Sequence, residues 1–411
     1  MKVDFTSKIE EFVAYNGPKM SYTKVPLGSE FFLRSHGLLF DQGVSDIEIK
    51  MAQWDDVPCF FKAGSKSSIP YDIFAASFFL ITRYEEYLPH VKDHYERFNA
   101  EQSIAYKFQF LEKPIVDIWA KKMSIVLLEK FPNFEFPERT FKYISTLDID
   151  NAFAYKYKSF IRSTGGLIND FFRLNLRVFW DRLTVLLGIR RDPYDVFDQL
   201  LSLNSDYKIN SIFFFLIADY TSFDTNVSSA KNRFRLLIKH ISDYTKVGLH
   251  PSFYTMKNVG IMKKEKNRLE GITNMQTKRS RQHYLRFSLP ETYQQLIDLE
   301  IEEDYSMGYA SHVGFRASTC TPFYFYDLDF EIQTPLKIFP FVLMDTTLND
   351  YMKLTPKQSL GRIKDLYMEV KKVNGTLITL FHNESISGYM RWNGWQRVYQ
   401  TMLKLIAPAN D

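Results

Sequence analysis

Cysteine is nearly missing: Cys59 and Cys320 are the only two in 411 residues. Two cysteines cannot build a disulfide framework, and neither belongs to a Cys-x-x-Cys spacing that would hold zinc or run redox exchange. Long apolar runs are scarce too. IFAASFFLI (73–81) and SIFFFLIA (211–218) fall well short of the ~20 residues a membrane-spanning helix needs. The opening MKVDFTSKIEEF lacks the apolar stretch of a secretory signal, so a cytoplasmic, reduced protein is the expectation. No Gly-x-Gly-x-x-Gly or Walker-type glycine loop occurs, which removes the usual sequence signs of nucleotide binding.

What is present is aromatic. Aromatics reach 16% of the chain, with 37 Phe and 25 Tyr, enough for a large core and for a cavity with the flat, partly polar walls common in carbohydrate sites. The balance of 45% hydrophobic and 24% charged residues excludes a disordered or collagen-like chain. At ~100–200 residues per domain, the length suggests two or three domains. Net charge is only +4, but it is unevenly spread: residues 155–191 hold eight Lys/Arg against two Asp, and residues 257–281 hold eight Lys/Arg against two Glu.

The N-terminal third shows no repeat and no catalytic motif. Tyr71 to Leu88 has the all-round apolar character of a buried helix, and Phe108 to Lys130 is helical in period. Two prolines within FPNFEFPERT (131–140) mark a boundary, dividing an N-terminal α+β accessory domain (1–135) from a second domain (136–411). Beyond it the pattern alternates strand and helix. Segments 141–150, 210–219, 246–252, 283–288, 306–317, 335–345 and 375–383 have strand character. Helical stretches lie at 230–244, 289–302 and 355–373, the last followed by Gly375 as a C′ residue. This order predicts an α/β fold with a parallel sheet, and an incomplete barrel fits better than an open nucleotide-binding sheet.

Polar residues gather where these apolar runs end: Asp148 and Asp150, Asp219, His250, Arg316, Asp345 and His382. In a parallel barrel the carboxyl ends share the face where chemistry is done. Asp148 and Asp150 are two apart, so on a strand both point the same way while Leu147 and Ile149 face the other layer. Two carboxylates aimed into one cavity need a cation between them or a shared proton. Taken singly, the pair equally suits a strand-end cap. His250, after Val-Gly-Leu and before Pro, suits metal ligation at a barrel mouth, or simply a surface position. His382 suits a general acid, or a hydrogen bond to Asn383 or a carbonyl.

In this order the residues resemble the NodB-type polysaccharide deacetylases, metal-dependent carbohydrate esterases on an incomplete (β/α)7-like barrel. The resemblance spans about residues 140–405. Thr146-Leu147-Asp148-Ile149-Asp150 stands where that family has Thr-Phe-Asp-Asp-Gly, with the second Asp displaced by one. His250 matches the first histidine of the family's His-x-x-x-His, but Tyr254 replaces the second. Gly314-Phe315-Arg316-Ala317 stands at the arginine motif. Asp345 after PFVLM stands at the fourth motif, without its usual Trp. Leu377 and Leu380-Phe381-His382 match the Leu-x-Leu-His motif.

The resemblance implies Asp148 as catalytic base, Arg316 as the guanidinium orienting it, His382 as general acid and Asp345 as the catalytic-site carboxylate that the fourth motif supplies. Asp150 and His250 become ligands of a divalent metal, zinc first, with cobalt, nickel or manganese as alternatives. A catalytic zinc usually takes three protein ligands. His283 is the candidate third, with Ser252, Tyr254 or no metal as competing readings.

The implied reaction is hydrolytic removal of an acetyl group from an acetylated sugar or glycan precursor. The basic, apolar-striped segment after the first strand adds an anionic or lipid-linked substrate and peripheral contact with an anionic membrane. Nucleic acid is not expected, and nothing defines the oligomeric state. Two rivals stand beside this reading: a non-catalytic glycan-binding or assembly protein, and a glycoside hydrolase using Asp148 and Asp345 as a carboxylate pair.

Overall fold

The computed structural model describes residues 3–407. Two short ladders lie in the N-terminal third: β1 (Met20–Thr23) parallel to β2 (Phe31–Arg34), and β3 (Ala52–Trp54) antiparallel to β4 (Val57–Cys59). The remaining strands are β5 (Lys142–Ile149), β6 (Asn210–Phe215), β7 (Lys246–Leu249), β8 (Arg279–Ser280), β9 (Glu303–Asp304), β10 (Phe323–Asp327), β11 (Ile332–Ile338), β12 (Leu343–Met344) and β13 (Thr376–His382). They form one nine-stranded sheet in the order β10-β11-β9-β8-β7-β6-β5-β13-β12. All of its ladders are parallel except β10 with β11.

One segment ties the two sides of this sheet together. Lys337 and Ile338 pair with β9, Phe339 N–H donates to Asp304 O (2.8 Å) and Phe341 N–H to Met307 O (3.1 Å). A residue later, Val342 N–H donates to Ile378 O (2.9 Å) on β13, and β12 continues that ladder.

Both faces of the sheet are apolar, as parallel strands covered on two sides require. Leu147, Ile149, Phe213 and Phe215 join the layer beneath the helices. Alternate residues, Ile144, Ile212, Phe214, Ile378 and Leu380, form a smaller inner cluster with Tyr305 and Phe341. A third cluster belongs to the N-terminal part and takes in Tyr309 and Leu328 from beyond it.

The helices at Asn232–Tyr244, Glu291–Asp298 and Pro356–Lys372 fall where the period places them. The last starts on a capping box: Thr355 accepts from Gln358 N–H, and the Gln358 side chain accepts in return, with proline in the first turn. Its left-handed terminator is Asn374 (φ 49°) rather than Gly375. Gly375 instead makes room, since a Cβ there would lie 2.2 Å from Cys320 Sγ.

Three expectations are corrected. The helix expected over Tyr71–Leu88 is broken at Arg83 (φ 57°) into Ile73–Ile81 and Tyr84–Tyr87. Residues 283–288 are not a strand: the ladder is the two-residue β8 just before them, and His283–Leu285 turn in a 3₁₀ coil with Tyr284 at φ 59°. Residues 306–317 carry no strand either, and the pairing there belongs to β9 upstream.

Candidate active site

The site is built at the carboxyl ends of β5, β7, β8, β12 and β13. Strand alternation sends Asp148 to the inner face while Leu147 and Ile149 enter the helix-side core, and Asp150, two further on, reaches the same mouth. His250 follows the last residue of β7, His283 follows β8 after two residues, and His382 ends β13.

Asp150, His250 and His283 form a group whose ligand atoms all lie within 4.8 Å of one another. His250 Nε2 is 3.1 Å from Asp150 Oδ1, and His283 Nε2 is 3.5 Å from Asp150 Oδ2. Each imidazole is oriented from behind. His250 Nδ1 donates to the Arg281 carbonyl, and His283 Nδ1 donates to Asp224 Oδ1 (2.8 Å). A carboxylate or carbonyl behind the ring is what fixes the tautomer of metal-binding histidines and leaves Nε2 to face the ion. Asp150 Oδ1 is buried and has no hydrogen-bond donor. An orphaned carboxylate oxygen facing two Nε2 atoms fits a divalent cation, and two nitrogens with one oxygen suit zinc and its neighbours in the first transition row.

Protons and a cation compete for this place. Burial disfavours charge on both His283 and Asp150, but they hold each other ionised. With Asp224 behind it, His283 is pushed up to about 9, and Asp150 is drawn well below the usual carboxylate range by His283, His250 and His382.

Two further pairs flank the group. On one side Asp148 Oδ2 is 3.7 Å from His250 Nε2, and its Oδ1 meets Arg281 Nη1 at 3.2 Å. Arg281 is completely buried. It donates to Thr146 Oγ1 (2.7 Å) and the Tyr305 carbonyl (2.9 Å), with its guanidinium held between the rings of Phe214 and Phe341. Gly248 makes this packing feasible, because a Cβ there would fall 2.5 Å from the Phe214 ring. On the other side His382 Nε2 is 3.6 Å from Asp150 Oδ2, while its Nδ1 donates to Asp345 Oδ1 (2.7 Å). Burial opposes the charge on His382, yet Asp345, with Asp150 and Asp148, raises it to about 10. Asp345 is saturated: it also accepts from the N–H groups of His382 and Thr346 (2.7 Å each) and from Ser385 Oγ.

Of the residues named from sequence, Asp148, Asp150, His250, His283, Asp345 and His382 are brought together. Arg316 is not in this network. It donates to both oxygens of Glu86 (2.9 and 2.6 Å) and to the Gly308 carbonyl (3.1 Å), and it lies over the Phe287 ring. The guanidinium at Asp148 belongs to Arg281. Tyr254 is exposed and touches Phe223 and Phe253. The Ser252 N–H goes to Glu265 (3.0 Å), whose carboxyl burial raises to about 7. Asp219 is paired at the surface with Lys264 and Arg268. The carboxylate that the loop after β6 sends to the site is Asp224, five residues later.

Arg281 and Asp224 are the residues sequence reasoning missed. Arg281 had a signal, lying two before His283 and therefore on the same face of an extended chain. Asp224 had none, being fixed in an irregular loop through Thr221 and the Phe253 N–H.

The mouth is lined partly by the N-terminal third. Tyr95 packs against Tyr284 (ring centroids 5.0 Å), which adjoins His283 (4.5 Å). Arg97 donates to the Tyr284 carbonyl (2.9 Å), and Arg286 donates to the Tyr95 carbonyl (3.0 Å).

A family of unknown function (DUF7033) matches residues 1–132, and no curated protein matches in sequence. Among solved structures, the chain is similar to a Mycobacterium smegmatis protein assigned to the polysaccharide deacetylases. That pair shows 13% identity and a TM-score of 0.44 over 68% of this chain and 88% of that one. It is also similar to the polysaccharide deacetylase of Bacillus cereus (11%, 0.31, over 65% and 88%) and to a CE4 family pseudoenzyme of Bacillus anthracis (10%, 0.32, over 65% and 60%). At such identities and scores, chemistry has to be read from the residues themselves.

Proposed function

We propose that the protein removes an acetyl group from the nitrogen of an acetylated sugar or glycan precursor by hydrolysis. The sheet, joined across its two sides by residues 337–344, is read as the incomplete barrel that carries this chemistry. Residues 1–135 are read as an accessory unit and 136–411 as the catalytic one.

One observation carries the reading: a two-histidine, one-carboxylate group has an aspartate–arginine pair on one flank and a histidine–carboxylate pair on the other. A divalent cation held by Asp150, His250 and His283 would supply Lewis-acid polarisation of the amide oxygen and a more acidic water. The chain's own groups do the proton work. Asp148, oriented by Arg281, takes a proton from the attacking water. His382, kept protonated and oriented by Asp345, gives its Nε2 proton to the departing amine. The aromatic mouth of Tyr284 and Tyr95 supplies flat faces for a sugar ring.

The rivals lose ground on the same geometry. A glycosidase needs two carboxyl groups facing the substrate, and every Asp345 oxygen is already engaged behind His382. The non-catalytic reading rests on Tyr254, and His283 stands beside Asp150 in place of the absent histidine. No helix of the described residues is long and apolar enough to cross a membrane, and a cytoplasmic location remains part of the proposal. The test is acetate release from nucleotide- or lipid-linked acetamido sugars, with chelator and with zinc, cobalt, nickel or manganese added back. Absence of release from every such sugar with metal supplied would favour the binding-protein alternative.

A further inference from the structure

Between β5 and β6 the chain forms two antiparallel helices, Phe160–Phe172 and Leu176–Leu186. A surface helix ordinarily turns its apolar stripe inward. Here the arrangement is reversed. The side chain buried from the first helix is Asp170, which meets Arg182 of the second (2.7 Å). Arg182 in turn lies over Tyr155, whose hydroxyl is 3.0 Å from that of Tyr389, and Tyr389 donates to Asp181 (2.9 Å). The hairpin is thus fastened to the body through these polar groups and through Val185 of the second helix, buried against Ala154 and Tyr155 with Val178 beside it.

Its other apolar residues include a set that faces outward. Phe160 is 82% exposed, Ile161 80%, Phe172 78% and Leu174 80%, and Trp180 stands at 59%. Single exposed apolar residues are ordinary, whereas this many bare on one helical hairpin mark a contact surface. The charge around it is one-sided. Of the eight Lys/Arg in residues 155–191, Arg173 and Arg177 flank the exposed turn and form no ion pair among the described residues.

We infer that this hairpin docks the protein on an anionic lipid surface, its outward Phe, Leu and Trp side chains entering the headgroup–acyl boundary and its arginines meeting lipid phosphates. Apolar side chains backed by a basic rim are the combination that interfacial helices use, and each basic residue near an anionic leaflet strengthens attachment. The docking surface also faces the right way. Phe160 follows Asp150 by ten residues, and Arg162 donates to the carbonyls of Thr225 (2.7 Å) and Asn226 (3.3 Å), in the loop that carries Asp224. The hairpin therefore sits on the mouth side of the sheet and would present a lipid-linked sugar to the site, a step that rests on the proposed deacetylation.

The test is sedimentation of the full chain with phosphatidylcholine vesicles, with and without phosphatidylglycerol. The protein should pellet with the anionic vesicles and be released by salt, and Trp180, the only exposed tryptophan among the described residues, should shift its emission to the blue. Phe172→Glu with Leu174→Glu should abolish pelleting at a nearly unchanged thermal midpoint, since both side chains are largely exposed and Phe172 meets only the neighbouring, likewise exposed Phe171 ring (5.9 Å). Arg173→Glu with Arg177→Glu should weaken anionic binding about tenfold or more while leaving the residual binding to neutral vesicles.

Failure to pellet with either vesicle overturns the inference, as does a self-associated species in solution that Phe172→Glu dissolves, which would assign the face to a second copy. In the activity arm, the Phe172/Leu174 variant should turn over a water-soluble acetamido sugar normally and lose turnover of the vesicle-borne one. If neither protein releases acetate from the soluble sugar, deacetylation fails, and the sedimentation arm still decides the docking.

Discussion

Among the described residues, two centres built on fully buried arginines differ in their charge balance. At the junction with the N-terminal third, Arg83 and Arg316 face Glu85 and Glu86, two cations for two anions. At the strand ends, Asp148, Asp150, Asp224 and Asp345 surround a single guanidinium, Arg281, with three imidazoles between them. A balanced buried cluster holds parts together and asks for nothing further. An acid-rich one is stable only when protons or a cation make up the deficit. The difference separates a fastening from a site, although each centre is built around a fully buried guanidinium.

The largest effect should come from removing the deficit's focus. Asp150→Asn or His250→Ala should abolish metal retention, read by metal analysis of the purified protein, and with it all chelator-sensitive acetate release. If either variant keeps both, the acid-rich centre is not a metal site.

Asp148→Asn should keep the metal but lower turnover by on the order of 10²–10⁴, the range for loss of a general base. Unchanged turnover in this variant would remove Asp148 from the reaction.

Asp224→Asn should act more mildly, weakening metal affinity by roughly 10–100-fold, because it orients His283 without touching the ion. A competition titration against a chelator reads this directly.

At the balanced centre the expected changes are in stability. Arg316→Ala leaves Glu85 and Glu86 to share Arg83 alone in the interior and should cost about 3–5 kcal/mol of unfolding free energy, measured by denaturant titration. Per mole of active protein, metal content and turnover should stay normal. A loss of turnover without loss of stability would return Arg316 to the catalytic role expected from the sequence.

The smallest effect is a pH limb. Burial raises the Glu86 pKa, but Arg316 and Arg83 outweigh it and hold the group at about 2, below its ordinary 4.5. A depressed acid stabilises the fold fully above its unfolded pKa and loses that contribution as pH falls through the folded one. Acid unfolding between about pH 4.5 and 2 should therefore be shallower in Glu86→Gln, at a lower stability near neutrality.

Much of the site was legible because strand ends carry a readable geometry. The two-residue spacing of Asp148 and Asp150 survives as two carboxylates in one mouth, and the histidines after β7 and in β13 stand where the apolar runs stop. Arg316 was misplaced because the segment before it is irregular: without a strand there, a motif match had no register to check it. The position of β8 was four residues off for a related reason. A two-residue ladder carries too little alternation to be distinguished from the turn that follows it, and that slip concealed Arg281. The β10–β11 hairpin and the small ladders of the N-terminal third went unseen, since their partners lie across turns that no strong Asn-Gly or Asp-Gly signal marks. The outward face of the 160–186 hairpin could not be read either. Periodicity shows that a helix has an apolar side, and only packing shows which way that side points.

Glu86 neutralises Arg316, Leu111 O accepts from Phe315 N–H (2.7 Å), and Tyr309 with Leu328 completes the N-terminal core. The first third is therefore no detachable passenger. A chain begun at residue 136 would inherit the reactive groups but also an unanswered interior cation and a stripped apolar wall, and a foreign head could be grafted on only if it brought an acid to the place of Glu86. The two parts must have been shaped as one, and change on either side of that seam is constrained by the other.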